Sequence, residues 1–213
     1  MLCPELCSGL MALKILYKKT MMKLNEIQKG SFIFECNNAL PDFICDDIVT
    51  RFESNPKDHY QGRVGAEAIQ NTALKTTTDL VVTGKDHWQD AHNNLFRSLS
   101  LCLQEFSRQH DYFADLKRFK DMGYNLQRYQ QGEYYHWHVD ADNQALSNRQ
   151  LVAIWYLNDV EQGGSTDFYH QQLSVQPEKG KLILFPPFWT HQHRAAIVES
   201  GTKYIATTWI TFR

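Results

Sequence analysis

Residues 124–140 read YNLQRYQQGEYYHWHVD, and with this stretch the pattern of the chain changes from helical to extended. Aromatic and β-branched residues recur from here with a period close to two, which is typical of strands with one buried face. This pattern predicts strands, separated by clusters of turn-forming residues, at 124–130, 134–139, 151–157, 173–176, 181–185 and 203–212. Closely spaced strands without intervening helices indicate antiparallel sheets, and a jelly roll folds two such sheets together and protects their edges.

The first half of the chain carries the helical pattern. Asp42 has the position of an N-cap for a helix that ends at Asn55, just before a proline. Apolar residues then recur every three or four positions from Trp88 to Phe106, which predicts a long packing helix capped by Asp86. The expected fold is mainly β with flanking helices (α+β): a double-stranded β-helix (jelly roll) core packed against N-terminal helices.

The 213 residues suit a single domain with an irregular N-terminal appendage. We expect that domain at 22–213, with helical support mainly in 42–110 and the jelly-roll core in 124–213. Residues 1–21 are interpreted as a disordered or non-native leader. Their apolar stretch is followed by lysines, whereas a signal peptide has its positive charges first.

Composition limits the classes of partner. The net charge of −2 gives no electrostatic reason to expect nucleic acid or an anionic membrane surface as a partner. No apolar run is long enough to predict a transmembrane helix. The five cysteines are odd in number and form no CxxC pair, which disfavours a disulfide framework and a structural zinc site. A reducing compartment, and hence a cytoplasmic location, fits best. The oligomeric state is not determined by the sequence.

The strongest local feature is His138-Val139-Asp140. Residues two apart on a strand point to the same face, so this imidazole and carboxylate would project side by side. With a second histidine from elsewhere they would form the facial triad of non-haem Fe(II) oxygenases. An HxD sequence alone arises often by chance, so its interpretation depends on the surrounding residues.

Those surroundings are a run of motifs: Tyr129 and Gly132 before HxD, Tyr156-Leu157-Asn158, the GGSTDF sequence at 163–168, Pro177 to Gly180, and His193 followed by Lys203. In content, order and approximate spacing they resemble the prolyl 4-hydroxylase-like branch of the 2-oxoglutarate oxygenases. That family has a YLN strand, GGxTxF, a P-x-x-G turn, and a distal histidine followed about ten residues later by Lys or Arg. The resemblance covers roughly residues 124–213.

The resemblance implies that His138, Asp140 and His193 hold Fe(II). One alternative stays open at this point, because His191 lies two residues before His193 and strand alternation cannot separate them. The family spacing from the distal histidine to the following lysine favours His193, which lies ten residues before Lys203. His191 would then be a supporting or solvent-facing residue.

The resemblance also implies a site for 2-oxoglutarate. Lys203 matches the cation that pairs with the far carboxylate of this cosubstrate. Tyr129 and Tyr156 resemble tyrosines that help to bind it, and Thr207, on the same strand face as Lys203, would donate a further hydrogen bond. No catalytic residue beyond the metal ligands is implied.

The implied activity is that of an Fe(II)- and 2-oxoglutarate-dependent dioxygenase, which uses O₂, hydroxylates an unactivated C–H bond and releases succinate and CO₂. The favoured substrate is a prolyl residue in a protein or peptide, and ascorbate is expected as a reductant by family analogy alone. The alternatives are a hydroxylase of a free amino acid or other small molecule and a non-catalytic metal-binding jelly-roll sensing module. A zinc hydrolase or cupin isomerase is a weaker option, because such sites usually use more histidine ligands.

Overall fold

The computed structural model describes residues 22–213, so the leader predicted for 1–21 lies outside the described residues. The two α-helices of this part of the chain are α1 (Asp42–Ser54) and α2 (Gln89–Gln109). Its strands are β1 (Leu24–Glu26), β2 (Phe34–Cys36), β3 (Tyr60–Gln61), β4 (Thr78–Val81), β5 (Phe119–Asp121), β6 (Asn125–Tyr129), β7 (Tyr135–His138), β8 (Arg149–Tyr156), β9 (Gln162–Gly163), β10 (Thr166–Phe168), β11 (Leu173–Val175), β12 (Leu182–Phe185), β13 (His193–Ala195), β14 (Val198–Ser200) and β15 (Lys203–Phe212).

The strands form two principal antiparallel sheets. The larger sheet has the order β1-β2-β12-β8-β15-β6-β4-β3, with β5 also paired to β15, and the smaller sheet has the order β11-β10-β13-β7. Strands β14 and β9 form a separate pair. Neighbours in each sheet are mostly distant in sequence, as in a jelly roll. The predicted fold class, mainly β with a jelly-roll core and flanking helices, is confirmed.

Each of the six predicted strand segments coincides with a strand, namely β6, β7, β8, β11, β12 and β15, although β8 begins two residues before its predicted segment. The sequence pattern missed β10 and β13, which form the centre of the smaller sheet. Unlike the equally short β11, neither of these strands alternates between apolar and polar residues: β10 reads Thr-Asp-Phe with all three residues buried, and β13 reads His-Arg-Ala.

Helix α2 supports the larger sheet through the predicted apolar stripe. Ala91, Leu95, Leu99, Cys102 and Phe106 are all buried. Two buried hydrogen bonds also orient the helix relative to the sheet. The indole of Trp155 in β8 donates to the Ser98 hydroxyl at 2.9 Å, and Ser98 donates to the Ala39 carbonyl at 2.6 Å. The helix therefore has a fixed position behind the sheet that carries the predicted cosubstrate residues.

Both predicted N-caps were wrong. Helix α1 has Pro41 as its N-cap, so Asp42 is its first helical residue and its carboxylate makes no capping hydrogen bond. Asp86 begins a single 3₁₀ turn (Asp86–Trp88) whose N-cap is Lys85, and α2 starts only after that turn. An acidic residue in a first turn is favourable for the helix dipole without being the cap, and a sequence pattern does not separate the two positions.

Two structural findings bear on the expectations from composition about disulfides and transmembrane helices. The cysteines among residues 22–213, which are Cys36, Cys45 and Cys102, are buried free thiols. Helix α2 has the length to cross a bilayer, but its sequence is too polar, and no other helix between residues 22 and 213 could span a membrane.

The segment from Leu74 to β4 connects the smaller sheet to the larger sheet. Leu74 and Thr76 exchange backbone hydrogen bonds with the chain at β7 in the smaller sheet, whereas β4, directly after them, pairs with β6 in the larger sheet. At the crossover the Lys75 ammonium lies 2.8 Å from the Asp79 carboxylate, and both side chains are buried. Because neither charge can reach water, each depends on the other.

This ion pair yields a stability prediction. Lys75→Met should lower the free energy of unfolding in urea by about 3–5 kcal/mol, because it leaves the buried Asp79 carboxylate without its cation and with only the neutral donors of Thr77 and Asn125. The double variant Lys75→Met/Asp79→Asn should regain part of that loss. A single variant that unfolds at the same urea concentration as the wild type would contradict the assignment.

Candidate functional site

Strand pairing brings the two predicted histidine ligands together. His138 ends β7, His193 begins β13, and the two residues are directly opposite each other in the register of these strands. Asp140 follows β7, where its backbone N–H donates to the Pro187 carbonyl at 3.0 Å. One ligand atom from each of the three side chains lies within 4.8 Å of the other two.

Backbone carbonyls orient both imidazoles. The Nδ1 of His138 lies 2.7 Å from the His136 carbonyl, and the Nδ1 of His193 lies 3.0 Å from the His191 carbonyl. A carbonyl can only accept, so each Nδ1 carries the proton and each Nε2 presents a lone pair. These Nε2 atoms lie 3.9 Å (His138) and 3.5 Å (His193) from the carboxylate oxygens of Asp140.

Burial lowers the pKa of both histidines, most strongly for His138, where the neighbouring His193 adds to the effect. The imidazoles are therefore neutral, and the three side chains direct only lone pairs at one another. Such a set is unfavourable when it is left alone and favourable around a cation. The chemistry of these donors fits a divalent metal ion that prefers nitrogen and oxygen ligands.

Aromatic contacts fix the planes of the two imidazoles. Tyr135 stacks on His138 with 3.5 Å between ring centroids, and Phe185 meets His193 edge to face at 4.8 Å. Arg149 supports the third group, because its guanidinium donates to the Asp140 carbonyl at 2.6 Å. Arg149 had no decisive interpretation from sequence, since a single arginine before a strand carries no pattern.

His191 lies elsewhere. Its Nε2 is 2.9 Å from the Ser31 carbonyl and its Nδ1 is 2.9 Å from the Thr190 hydroxyl, so both ring nitrogens are already engaged. The structure thus groups His193, and not His191, with His138 and Asp140. His191 contributes its backbone carbonyl, which holds the His193 ring.

The ammonium of Lys203 lies in the same cavity as the three side chains. Lys203 is only 1% exposed, and its Nζ donates to the Gly164 carbonyl at 2.6 Å. No carboxylate within residues 22–213 forms an ion pair with it. Burial lowers its pKa to about 7, and Asp167 opposes this only in part. A buried amine of this kind is a site for an anion that comes from outside the chain.

The Gly163-Gly164 turn supplies the carbonyl that Lys203 contacts. Gly163 has a φ of +76°, and a Cβ at this position would lie 2.2 Å from the Ile197 carbonyl oxygen. Gly164 also has a positive φ, of +68°. Glycine is therefore required at the first position both by conformation and by space, which gives the GGxTxF motif a structural reason.

The remaining predicted cosubstrate residues differ in position. Tyr129 and Thr207 line the cavity, and the Tyr129 hydroxyl donates to Gln127 at 2.8 Å. Tyr156 lies behind the cavity wall, where its hydroxyl donates to Thr166 at 2.7 Å and its ring centroid lies 5.5 Å from the Lys203 ammonium. Thr166, the threonine of GGxTxF, does line the cavity and was not singled out from sequence.

A wide groove of about 1050 Å³ is lined by two of the three candidate ligands, His138 and Asp140. Arg149 and Trp209 both line it, with the guanidinium 3.9 Å from the indole ring centroid. Residues from 63–75, Trp137 and residues from 139–146 contribute further lining. The inner cavity therefore suits a small anion, and the outer groove suits a larger molecule.

Comparison with known proteins agrees with this geometry. Residues 124–211 match the model of the 2OG-Fe(II) oxygenase superfamily. Probable prolyl 4-hydroxylase 9 of Arabidopsis thaliana is 24% identical over 194 residues, which cover 78% of this chain and 64% of the relative. Prolyl 4-hydroxylase 13 of the same plant is 30% identical over 114 residues, which cover 41% of this chain and 42% of the relative. The match thus spans less than two thirds of either relative.

Solved structures show the same fold. The viral collagen prolyl hydroxylase of Paramecium Bursaria Chlorella virus-1, in complex with 2-oxoglutarate, aligns with a TM-score of 0.63 at 22% identity, over 88% of this chain and 100% of its own. A Trichoplax adhaerens prolyl hydroxylase in complex with a hypoxia inducible factor peptide aligns with a TM-score of 0.68 at 16% identity, over 86% and 84%. Over residues 124–211 the chain is therefore similar to the 2OG-Fe(II) oxygenases, and the relatives that it matches are named prolyl 4-hydroxylases.

The pKa of Lys203 gives a pH prediction. A group whose pKa is lowered to about 7 is a cation below that pH and becomes neutral as the pH rises through it. The affinity for 2-oxoglutarate, measured by anaerobic calorimetry with Fe(II), should therefore fall between pH 7 and pH 9. The bound anion raises the amine pKa, so the loss is gradual. Lys203→Met should bind weakly at every pH, and a wild-type affinity that stays constant over this range would refute the role of the amine.

Proposed function

We propose that this protein is an Fe(II)- and 2-oxoglutarate-dependent dioxygenase that hydroxylates an unactivated C–H bond, with a prolyl residue of a protein or peptide as its favoured substrate. One observation carries the proposal. A largely buried set of lone-pair donors lines the same cavity as a buried amine that has no anionic partner within residues 22–213, and these groups lack what a metal ion and a dicarboxylate would supply.

His138, Asp140 and His193 would hold the iron. Two imidazoles and one carboxylate are the ligand set of non-haem Fe(II) oxygenases, and three protein ligands leave positions open for other molecules. The carbonyl contacts on Nδ1 and the ring contacts of Tyr135 keep the histidine lone pairs aimed at one point. Because these contacts orient the imidazoles before a metal ion binds, they increase the affinity for the metal.

Lys203 would bind the far carboxylate of 2-oxoglutarate, and Tyr129 and Thr207 would line the space between that carboxylate and the metal ligands. Tyr156 would act on Lys203 through its ring. When bound, the iron with 2-oxoglutarate and O₂ supplies the oxidising chemistry, which converts the cosubstrate to succinate and CO₂ and places one oxygen atom on the substrate. The side chains of the chain position these molecules and exclude water.

The outer groove supports a polypeptide substrate. Its volume of about 1050 Å³ and its open side suit an extended chain better than a single amino acid. The relatives are named prolyl 4-hydroxylases, and one structural neighbour is described with a bound peptide fragment. A small-molecule substrate is the alternative, and ascorbate as reductant is supported by family analogy alone.

The proposal is tested by incubating the purified protein with Fe(II), 2-oxoglutarate and a library of proline-containing peptides. Succinate should form together with peptides 16 Da heavier, the mass of one oxygen atom, at proline. Lys203→Ala should raise the 2-oxoglutarate concentration needed for half-maximal rate by about tenfold or more, since it removes a buried charge contact worth at least ~1.4 kcal/mol.

Asp140→Ala should abolish turnover and bound iron, because only two neutral ligands remain. Asp142→Ala, which removes an exposed carboxylate two residues further along, is the matched control and should retain iron. Full turnover in the Asp140 variant would overturn the ligand assignment. Binding of iron and 2-oxoglutarate without succinate release on any substrate would instead favour a sensing module.

A further inference from the structure

A line of aromatic side chains begins at the groove and continues over the outer surface beside the smaller sheet. Its members are Trp137, Tyr169, His170 and Trp189, and they are called the aromatic strip below. The ring centroids of successive members are 5.4, 5.3 and 6.2 Å apart. Each ring therefore contacts the next, and together they form one continuous surface.

The strip is unusually exposed for its composition. Trp189 is 73% exposed, the largest value among the big apolar side chains of residues 22–213, and Tyr169 is 50% exposed. A single exposed aromatic residue needs no explanation, but a contiguous group of them marks a binding surface. Tyrosine and tryptophan also combine an apolar ring with a polar tip, which suits contact with a polypeptide.

Contacts on the protein side hold the strip in place. The Arg194 guanidinium lies 4.8 Å from the Trp137 ring centroid, and its Nε donates to Asp167 at 2.8 Å. The backbone N–H of Tyr169 donates to the Gln192 carbonyl at 2.9 Å, which joins the turn after β10 to the loop before β13. Trp137 and the backbone of Tyr169 are thus held in place without a partner, which reduces the entropy lost on binding at this end of the strip.

The strip is continuous with the groove. Trp137 is the residue before His138 and, together with Gln192, lines the groove beside the proposed metal ligands. Trp189 precedes His193 by four residues and lies at the far end of the line. A chain that passes through the groove can therefore continue over the strip without crossing a break in the surface.

We propose that the aromatic strip binds the flank of the polypeptide substrate, as an extended, proline-rich segment on one side of the target residue. This inference rests on the proposed function, because that function places a peptide in the groove. Successive rings meet at 84°, 90° and 87°, so ring faces and ring edges alternate along the strip. Aromatic-lined surfaces of this kind bind polyproline II segments, which are extended and have little entropy to lose. At ~3.1 Å per residue the strip would cover on the order of five residues.

The experiment compares two peptides that share one target segment. One carries a proline-rich arm and the other a Gly/Ser arm of equal length, with versions that place the arm on either side. The proline-rich arm on one side should lower KM by about tenfold, which corresponds to ~1.4 kcal/mol, with kcat unchanged. Trp189→Ala/Tyr169→Ala should remove this gain and leave KM for the Gly/Ser peptide unchanged. Phe43→Ala, which removes a ring that is 53% exposed on α1, is the control and should retain the gain.

Anaerobic binding of the labelled peptides to protein loaded with Fe(II) and 2-oxoglutarate separates the two hypotheses. If the proline-rich arm improves binding through Trp189 and Tyr169 but no peptide is hydroxylated, the strip is supported and the proposed function fails. If peptides are hydroxylated and the arm gives no gain, or a gain that survives the double variant, the strip proposal is overturned. A double variant that changes only the oligomeric state would assign the strip to self-association and also overturn it.

Discussion

The site depends on the register between β7 and β13. His193 lies opposite His138 in that pairing, and Asp140 follows closely enough to complete the group. Side chains alternate between the two faces of a strand, so a slip by one residue would turn an imidazole toward the outer surface. That surface is where Trp137 and Arg194 now contact each other. One strand register therefore determines both the inner metal-binding group and the outer aromatic surface.

Two buried groups in the cavity are each unfavourable in isolation. The lone pairs of the two histidines face a carboxylate, and within the described part of the chain the Lys203 amine has only the Gly164 carbonyl as a hydrogen-bond partner. Elsewhere in the fold buried charges are paired, as Lys75 is with Asp79. These groups lower the stability of the folded protein, and the binding of ligands of opposite charge offsets that loss. Such local destabilisation is common at functional sites.

The sequence predicted the fold class, six strands and the candidate ligands, because apolar alternation and motif spacing are local properties. Strand alternation could not separate His191 from His193, since both occupy equivalent positions in it, and only the family spacing to Lys203 favoured His193. Hydrogen bonds to Ser31, a distant residue, distinguish them in space. Local sequence patterns do not report features that arise from tertiary structure. Examples are the short strands β10 and β13, the hydrogen bond from Arg149 to the Asp140 carbonyl, and the position of Tyr156 behind the cavity wall.

The central claim is that one cavity binds a metal ion and 2-oxoglutarate in mutual contact. The most direct test is the affinity for 2-oxoglutarate measured anaerobically by calorimetry, first on metal-free protein and then with Fe(II) bound. Because ligands that touch share a coupling free energy, the account predicts an affinity at least ~5-fold higher with the metal, and an equal gain for the metal when the cosubstrate is bound. Equal affinities in the two states would contradict it.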